Sequence, residues 1–520
     1  MSRPIDALRL AVSQEKSLSA APPEADVIVV SDTVSAAASV YETLRNTLEY
    51  DEEHLLRRNA IRRILKRRLD EEAADAVSSE LLRELIWARY LPNKRVPERL
   101  SRALASLLRK YRPLFSSAHE APDPGYAEEW LLDAVSSEVE YALSPPLADE
   151  ALASFAYAEL KARARWPASM AQGDRELQLY IAVHRAVLKS NLATLRFRTL
   201  TLFYPGWSGA SPDDPLVAEV AANLPKVIAS VDRQIAHPWA DHMFRLVRRY
   251  AVVFHLIRDV VDKQPEAMES ADRATVDAAI ERAARARYAR FSERLRRGVF
   301  RAVLFLLCTK TVLALAIELP YERLVIEETS LAPLIANILF HPLLLGVIGL
   351  TVGIPAKKNT ARILELSRGI LGFGDDFVVP VKGLRAPPGG ALAFVFNLLY
   401  FSFFAVTVGG ITALLSALGF NPVSIAFFLF FLALVTFFGL KIRNSRRELV
   451  IIETGGGILG TVMDVLFLPV VRLGRWISLR APRVNVFLFF FDYIVEAPFK
   501  GAIRLMEGWL AFLREKKEEI

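Results

Sequence analysis

Two patterns of apolar positions divide the chain. Up to about residue 297, apolar residues recur every three or four positions among charged ones; beyond it they merge into long unbroken runs. The first pattern is that of amphipathic helices with one buried face, the second that of segments surrounded by apolar material. In "YETLRNTLEYDEEHLLRRNAIRRILKRRL", Leu44, Leu48, Leu55, Ile61, Ile64 and Leu65 fall at roughly helical spacing. "SSELLRELIWARYLPN" starts on serine and stops at a Pro-Asn pair. Further helices are predicted over about 97–112, 125–143, 147–165, 174–203, 215–235, 239–262 and 272–297. The breaks "APDPG", "LSPPL", "YPGWSGASPDDP" and "AHPW" carry turn chemistry. Neither alternating strands nor a fixed-period repeat is visible. Residues 1–33, with "SLSAAPPEADVIVVSD", read as a flexible leader; "DVIVV" has strand character but no obvious partner strand.

Four apolar runs follow, at about 299–319, 331–353, 391–418 and 423–440. Each comes close to or exceeds the ~20 residues that a bilayer core demands. The expected fold class is therefore all-α. A helical domain over 34–297 precedes a four-helix transmembrane domain over 298–441, with a loop at 354–390. The last segment, 442–520, holds apolar stretches too short to span. Within it, Phe499, Ile503, Met506, Leu510 and Leu513 step by four and three, with Lys500 and Arg504 on the adjacent polar face. That is the pattern of an amphipathic helix lying in the headgroup layer, where anionic lipid headgroups are the expected partner.

Composition agrees with this division. The chain is 52% hydrophobic yet 24% charged, and the two kinds of residue are segregated. The net charge is +7, with arginines clustered beside the apolar runs. Arg282 to Arg297 precede the first run; Lys357, Lys358, Arg362 and Arg368 follow the second; Lys441, Arg443, Arg446 and Arg447 follow the fourth. The other two connections are acidic or uncharged, so the positive-inside rule predicts four spans with both termini cytoplasmic. No basic stripe interleaved with aromatics appears, so no nucleic-acid interface is expected. One cysteine, Cys308, allows no internal disulfide, and the N-terminus lacks an apolar signal core. The expected setting is a cytoplasmic membrane of bacterial type.

One residue breaks the apolar pattern: Lys310, in the middle of "RAVLFLLCTKTVLALAIELP". It precedes Pro320 by ten residues, so it lies ~15 Å from that end of a helix rising 1.5 Å per residue. His341 has the same depth in the second run if the two runs form an antiparallel hairpin. Asn337, Thr309 and Thr311 add polar atoms, and Pro342 frees the Ile338 carbonyl as an acceptor for the ammonium. Glu318, about one turn from the run's end, is expected to reach water. Gly349 and Gly353 form a small-xxx-small pair suited to close helix packing.

Other chemistry is sparse. His237/Asp241 and His255/Asp259 are i, i+4 pairs, but they are ~27 Å apart along a helix and cannot form one metal site. "TGGGILG" and "GILGFGDD" lack the lysine and hydroxyl of a phosphate loop. No catalytic motif, resident metal or cofactor is expected. The pattern leads to a non-enzymatic scaffold, sensor or assembly factor at the cytoplasmic membrane face, with an unidentified cytoplasmic protein partner. The other reading is a subunit of a homo-oligomeric channel or transporter for an ion, proton or small anion, using Lys310 and His341.

Overall fold

Short polar caps punctuate the helices where the sequence changes character. Asp123 accepts from the Tyr126 amide, Asn191 from Thr194, Asp214 from Leu216, Asp272 from Ala274 and Thr275, and Asn421 from Ser424. Each satisfies an amide that a helix start leaves without a partner. The structure is a computed structural model that describes residues 3–20, 26–30, 53–68, 73–270, 272–326, 331–353, 357–374, 376–384, 389–451, 468 and 470–477. These residues are almost entirely helical, and the fold is all-α. They divide into two units, one running to Arg248 and including Val378–Gly383, the other holding the remainder from Arg249. The division falls inside a helix rather than near residue 297.

The first unit contains α1 (Arg3–Ala20), α2 (Glu53–Arg68), α3 (Ala74–Trp87), α4 (Glu98–His119), α5 (Pro124–Leu143) and α6 (Leu147–Arg163). It continues with α7 (Gln172–Ala186), α8 (Leu192–Phe203), α9 (Pro215–Ala222), α10 (Leu224–Ile235) and the start of α11 (Ala240–Lys263). Two predicted helices are each split, at residues 187–191 and at Asn223. The leader expected to be flexible is instead α1 over 3–20: Ile5 and Leu8 are fully buried, α1 packs on α6, and Glu15 accepts the Ala148 amide at the start of α6. "DVIVV" also finds partners, through an antiparallel bridge of Val27 with Pro97 and the Ile28 amide donating to Val96 O at 2.9 Å. Two two-residue strands, β1 (Ala164–Arg165) and β2 (Val379–Pro380), pair in parallel with Ala164 opposite Val379.

The arginine-rich α2 shows where its charge goes. Arg57 grips Glu140 with contacts of 2.6–2.9 Å; Arg62 bonds Asp133 at 2.9 Å and also Glu129; Arg67 bonds Glu84 at 2.8 Å. Arg196 of α8 joins Asp133 of α5 at 2.9 Å to Asp232 of α10 at 3.2 Å. These pairs cross between helices and fix their register beside an apolar core built around Trp130, Trp207, Leu108, Leu131 and Val231. His184 of α7 is buried, packs its ring tilted against Tyr180 and has no hydrogen-bond partner at Nδ1 among the described residues. Its burial holds the imidazole neutral, with its pKa pushed from 6.5 to about 4.

The second unit holds the four apolar helices, each long and apolar enough to cross a membrane. α12 (Pro265–Glu269) leads into α13 (Arg273–Leu313), and the helical path then runs on to Ile326. That extension contains π-helical turns at Ala314–Glu318 and Glu322–Ile326. α14 (Leu331–Leu350), α15 (Lys357–Leu371), α16 (Gly390–Ala417) and α17 (Pro422–Ser445) complete the set. The 354–390 segment is thus not all loop: α15 packs on α13, and Arg368 grips Asp277 at 2.7–3.1 Å. Asn359, buried on α15, donates to the Tyr288 hydroxyl at 3.0 Å and Leu449 O at 2.8 Å, and accepts the Ile451 amide at 2.8 Å.

Residues 470–477, in the last segment, are helical and pack on the long apolar helices. Val470, Leu473 and Ile477 join the apolar cluster of Leu415, Phe420, Phe428 and Leu432. At Gly474 a Cβ would overlap the Ala433 carbonyl, so only glycine permits this approach. The Arg472 guanidinium lies over the Tyr400 ring, 4.7 Å from its centroid.

Candidate functional site

Three apolar helices bring their polar residues to one buried place. α13 and its extension contribute Lys310 and Glu318, α14 contributes Asn337 and His341, and α17 contributes Ser424; each is at most 1% exposed. Lys310 Nζ donates to Asn337 Oδ1 at 2.7 Å and sits 4.4 Å from the centroid of the Phe431 ring. The ring face offers the ammonium a second electrostatic partner. Asn337 then donates its amide to both Glu318 oxygens, at 3.0 and 2.8 Å. Ser424 donates its hydroxyl to Glu318 Oε2 at 2.8 Å. The carboxamide of Asn337 therefore lies between the cation and the anion, presenting its oxygen to one and its nitrogen to the other.

His341 faces two carbonyl oxygens, with Nε2 3.0 Å from Phe428 O and Nδ1 3.3 Å from Asn337 O. Both ring nitrogens thus face acceptors, and a neutral ring can donate to only one of them at a time. Phe428 and Phe340 pack edge-on around the imidazole. Beyond Glu318, the second π-helical turn places Glu322 inside as well, 4% exposed, where Asn421 donates to Oε1 at 2.8 Å. Glu322 Oε2 is buried with no hydrogen-bond partner among the described residues. The polar line thus runs Lys310, Asn337, Glu318, Ser424, Asn421, Glu322.

Lys310, Asn337 and His341 lie together in this cluster. The ammonium, however, takes the Asn337 side chain rather than the Ile338 carbonyl. Thr309 and Thr311 stay outside the cluster, bonded back to Phe305 O and Leu307 O of their own helix. Glu318 does not reach water: the helix continues past Pro320 to Ile326, and the π-helical turn directs this residue inward. Gly349 behaves as a packing residue, since a Cβ there would lie 2.6 Å from a Val299 methyl. Gly353 has nothing within 4 Å and takes no part; the second close approach is instead at Gly439, against Ile348. Phe499, Lys500, Ile503, Arg504, Met506, Leu510 and Leu513 lie outside the described residues.

A second buried cluster, in the first unit, has no local signal in the sequence. Lys110 of α4 forms an ion pair with Glu138 of α5 and donates to Trp207 O at 3.0 Å. Tyr111 donates to Glu138 Oε2 at 2.7 Å, and Trp207 Nε1 donates to the same oxygen at 3.0 Å. Burial, and then the adjacent Glu138 carboxylate, push the Tyr111 hydroxyl well above its ordinary pKa. Each buried polar group here has its partner within the cluster.

His237 and His255 are not brought together. His237 lies 3.6 Å from Asp174 and accepts the Trp239 amide at 3.3 Å, while Asp259 meets Arg287 and Arg290. Among the described residues, no group of three metal-ligating side chains is found. The chain matches no family model, no curated protein and no solved structure, so the chemistry of the site rests on its own residues.

Proposed function

We propose that this chain is a multi-pass membrane anchor carrying a large helical module, and that it works without catalysis as a scaffold, sensor or assembly factor. The observation that carries this reading is the use of the intramembrane polar groups as ties between α13, α14 and α17. Lys310, Asn337, His341 and Ser424 each bond across or within that bundle. In an apolar medium such bonds hold helices together where a hydrophobic driving force between them is weak. The basic segments flanking the spans support an orientation with the helical module and α15 on the cytoplasmic side. The tail over 497–520 is proposed to lie on anionic headgroups, and the module to hold a protein partner.

Orientation is tested by single-cysteine labelling in a Cys308→Ser background. Lys358→Cys is better suited than Arg368→Cys, because Lys358 is exposed whereas Arg368 is tied to Asp277. Protection of Lys358→Cys from an impermeant thiol reagent in intact cells is expected; labelling there rejects the orientation. The scaffold reading is tested by reconstitution: liposomes containing the protein should show no proton or ion flux above empty liposomes.

A transport reading is kept for one observation, the buried Glu322 oxygen without a partner at the end of the polar line. A flux that Lys310→Met or Glu322→Gln abolishes would favour it over the anchor.

A further inference from the structure

We propose that Glu322 anchors a site for one small cation, a proton or an alkali-metal ion, held inside the membrane bundle beside Asn421. The inference does not depend on the scaffold reading, since a bound cation can serve an anchor or a carrier.

The first ground is a charge count. The buried cluster holds one lysine, Lys310, and two glutamates, Glu318 and Glu322. With both carboxylates ionised and His341 neutral, one negative charge is left over. An unbalanced charge in apolar surroundings is expensive, and intramembrane ionisable groups are matched by a partner or by a ligand. Among the described residues, no other charged side chain of the packed helices is paired with the cluster. Arg323, the neighbour in sequence, is exposed and makes no ion pair with Glu322 among the described residues. α17 contributes Asn421, Ser424, Phe428 and Phe431 here, none of them charged.

The second ground locates the surplus. Glu318 accepts from Asn337 and Ser424, and Asn337 passes the influence of Lys310 to it. Among the described residues Glu322 has one donor, Asn421, on Oε1, and its buried Oε2 has none. A buried acceptor without a donor forfeits its solvation, the more so when charged, so such a group in a native fold is explained by an ion, a water or a proton. Glu322 also sits in a π-helical turn, a geometry that recurs at functional sites.

The test uses the full chain in nanodiscs at constant ionic strength. Sodium is exchanged for choline while thermal unfolding is followed, and the protonated-carboxyl C=O stretch is recorded by infrared difference spectroscopy on changing pH. For an alkali-metal ion, sodium raises the unfolding temperature of the wild type and Glu322→Gln loses that rise. For a proton, the wild type ignores sodium but shows a protonated-carboxyl band that Glu322→Gln removes. Lys310→Met removes the internal positive charge and should enlarge whichever signal is present; it decides the matter if Glu322→Gln does not fold. A wild type with neither signal, or signals that survive Glu322→Gln, or no response to Lys310→Met, puts the balancing charge elsewhere, His341 being the other group able to carry it, and overturns the proposal.

Discussion

Each unit buries a lysine with a glutamate, and the two arrangements differ in how the charges meet. In the first unit Lys110 contacts Glu138 directly, and Tyr111 and Trp207 supply the remaining donors. In the membrane unit Asn337 stands between Lys310 and Glu318, and a second glutamate lies one turn further on. The first cluster is closed: one cation, one anion, every acceptor used. The second is open: Glu322 Oε2 is buried with no partner among the described residues. A closed ion pair fixes a fold and has little else to do, because any change in its charge state leaves a buried ion alone. An open cluster can change its charge state with less disruption, which is what a binding site requires.

The largest expected effect comes from opening the closed cluster. Glu138→Ala leaves the Lys110 ammonium, the Tyr111 hydroxyl and the Trp207 indole without their shared acceptor. Removing one partner of a buried pair costs about 3–5 kcal/mol. Urea unfolding of the full chain, followed by tryptophan fluorescence, should show that loss. Lys110→Met combined with Glu138→Leu should recover much of it, because no charge is then left unpaired. Equal loss in the single and double variants would mean that packing, not charge, dominates this site.

The membrane cluster should respond less to losing its bridge. Asn337→Leu deprives Lys310 of the Asn337 acceptor and Glu318 of the Asn337 donor, but the Phe431 ring and Ser424 remain. A loss of about 2–3 kcal/mol is expected, toward the upper end for a hydrogen bond to a charged group. Thermal unfolding in nanodiscs measures it. Lys310→Met spares a buried charge its desolvation cost but is expected to destabilise, since Asn337 Oδ1 and Glu318 both lose the positive charge they face.

How much of this was legible in the sequence follows from the range of each signal. The spans and the shared depth of Lys310, Asn337 and His341 come from periodicity and rise per residue, which are local. Glu318 was misplaced because Pro320 reads as a helix end, whereas the first turn after a break tolerates proline and the helix runs on through it. Ser424 and Phe431 were invisible, since nothing local says that the fourth run packs on the second. The same holds for Lys110 and Glu138, which sit on different helices. The basic run of α2 suits a membrane surface by composition, yet its arginines are used by Asp133, Glu140 and Glu84 within the first unit.

A third test asks whether the first unit is closed throughout. His184 is buried with one nitrogen unpartnered among the described residues, and burial holds its pKa at about 4 against an ordinary 6.5. The unfolded state therefore binds the proton first as pH falls. Its contribution to stability is complete above about pH 6.5, declines below it, and is gone at about pH 4. Between roughly pH 7 and pH 5 the loss should be about 2 kcal/mol. Denaturant unfolding of wild type and His184→Leu across that window checks the sign: the variant should show the flatter profile.

The smallest effect separates two glycines that the sequence presents as equivalent. Gly349 faces Val299 of α13, where a new Cβ would lie 2.6 and 2.7 Å from the two methyls and 3.2 Å from the valine Cβ itself. Rotating the valine cannot relieve the contact with its own Cβ, so Gly349→Ala must push α13 and α14 apart. Overpacking of this kind costs about 1–3 kcal/mol, and the better helix propensity of alanine returns up to ~1 of it. A net loss of about 1–2 kcal/mol is expected in nanodisc unfolding. Gly353 has nothing within 4 Å and lies past the end of α14, so Gly353→Ala should change stability by less than ~0.5 kcal/mol. Because Val299 lies near the basic flank of α13 and Lys310 three turns further along, Gly349→Ala also tests whether the open cluster needs a tight helix pair. If it does, the cation response at Glu322 weakens with the packing; if the response is unchanged, the cluster is held by its own hydrogen bonds and by α17.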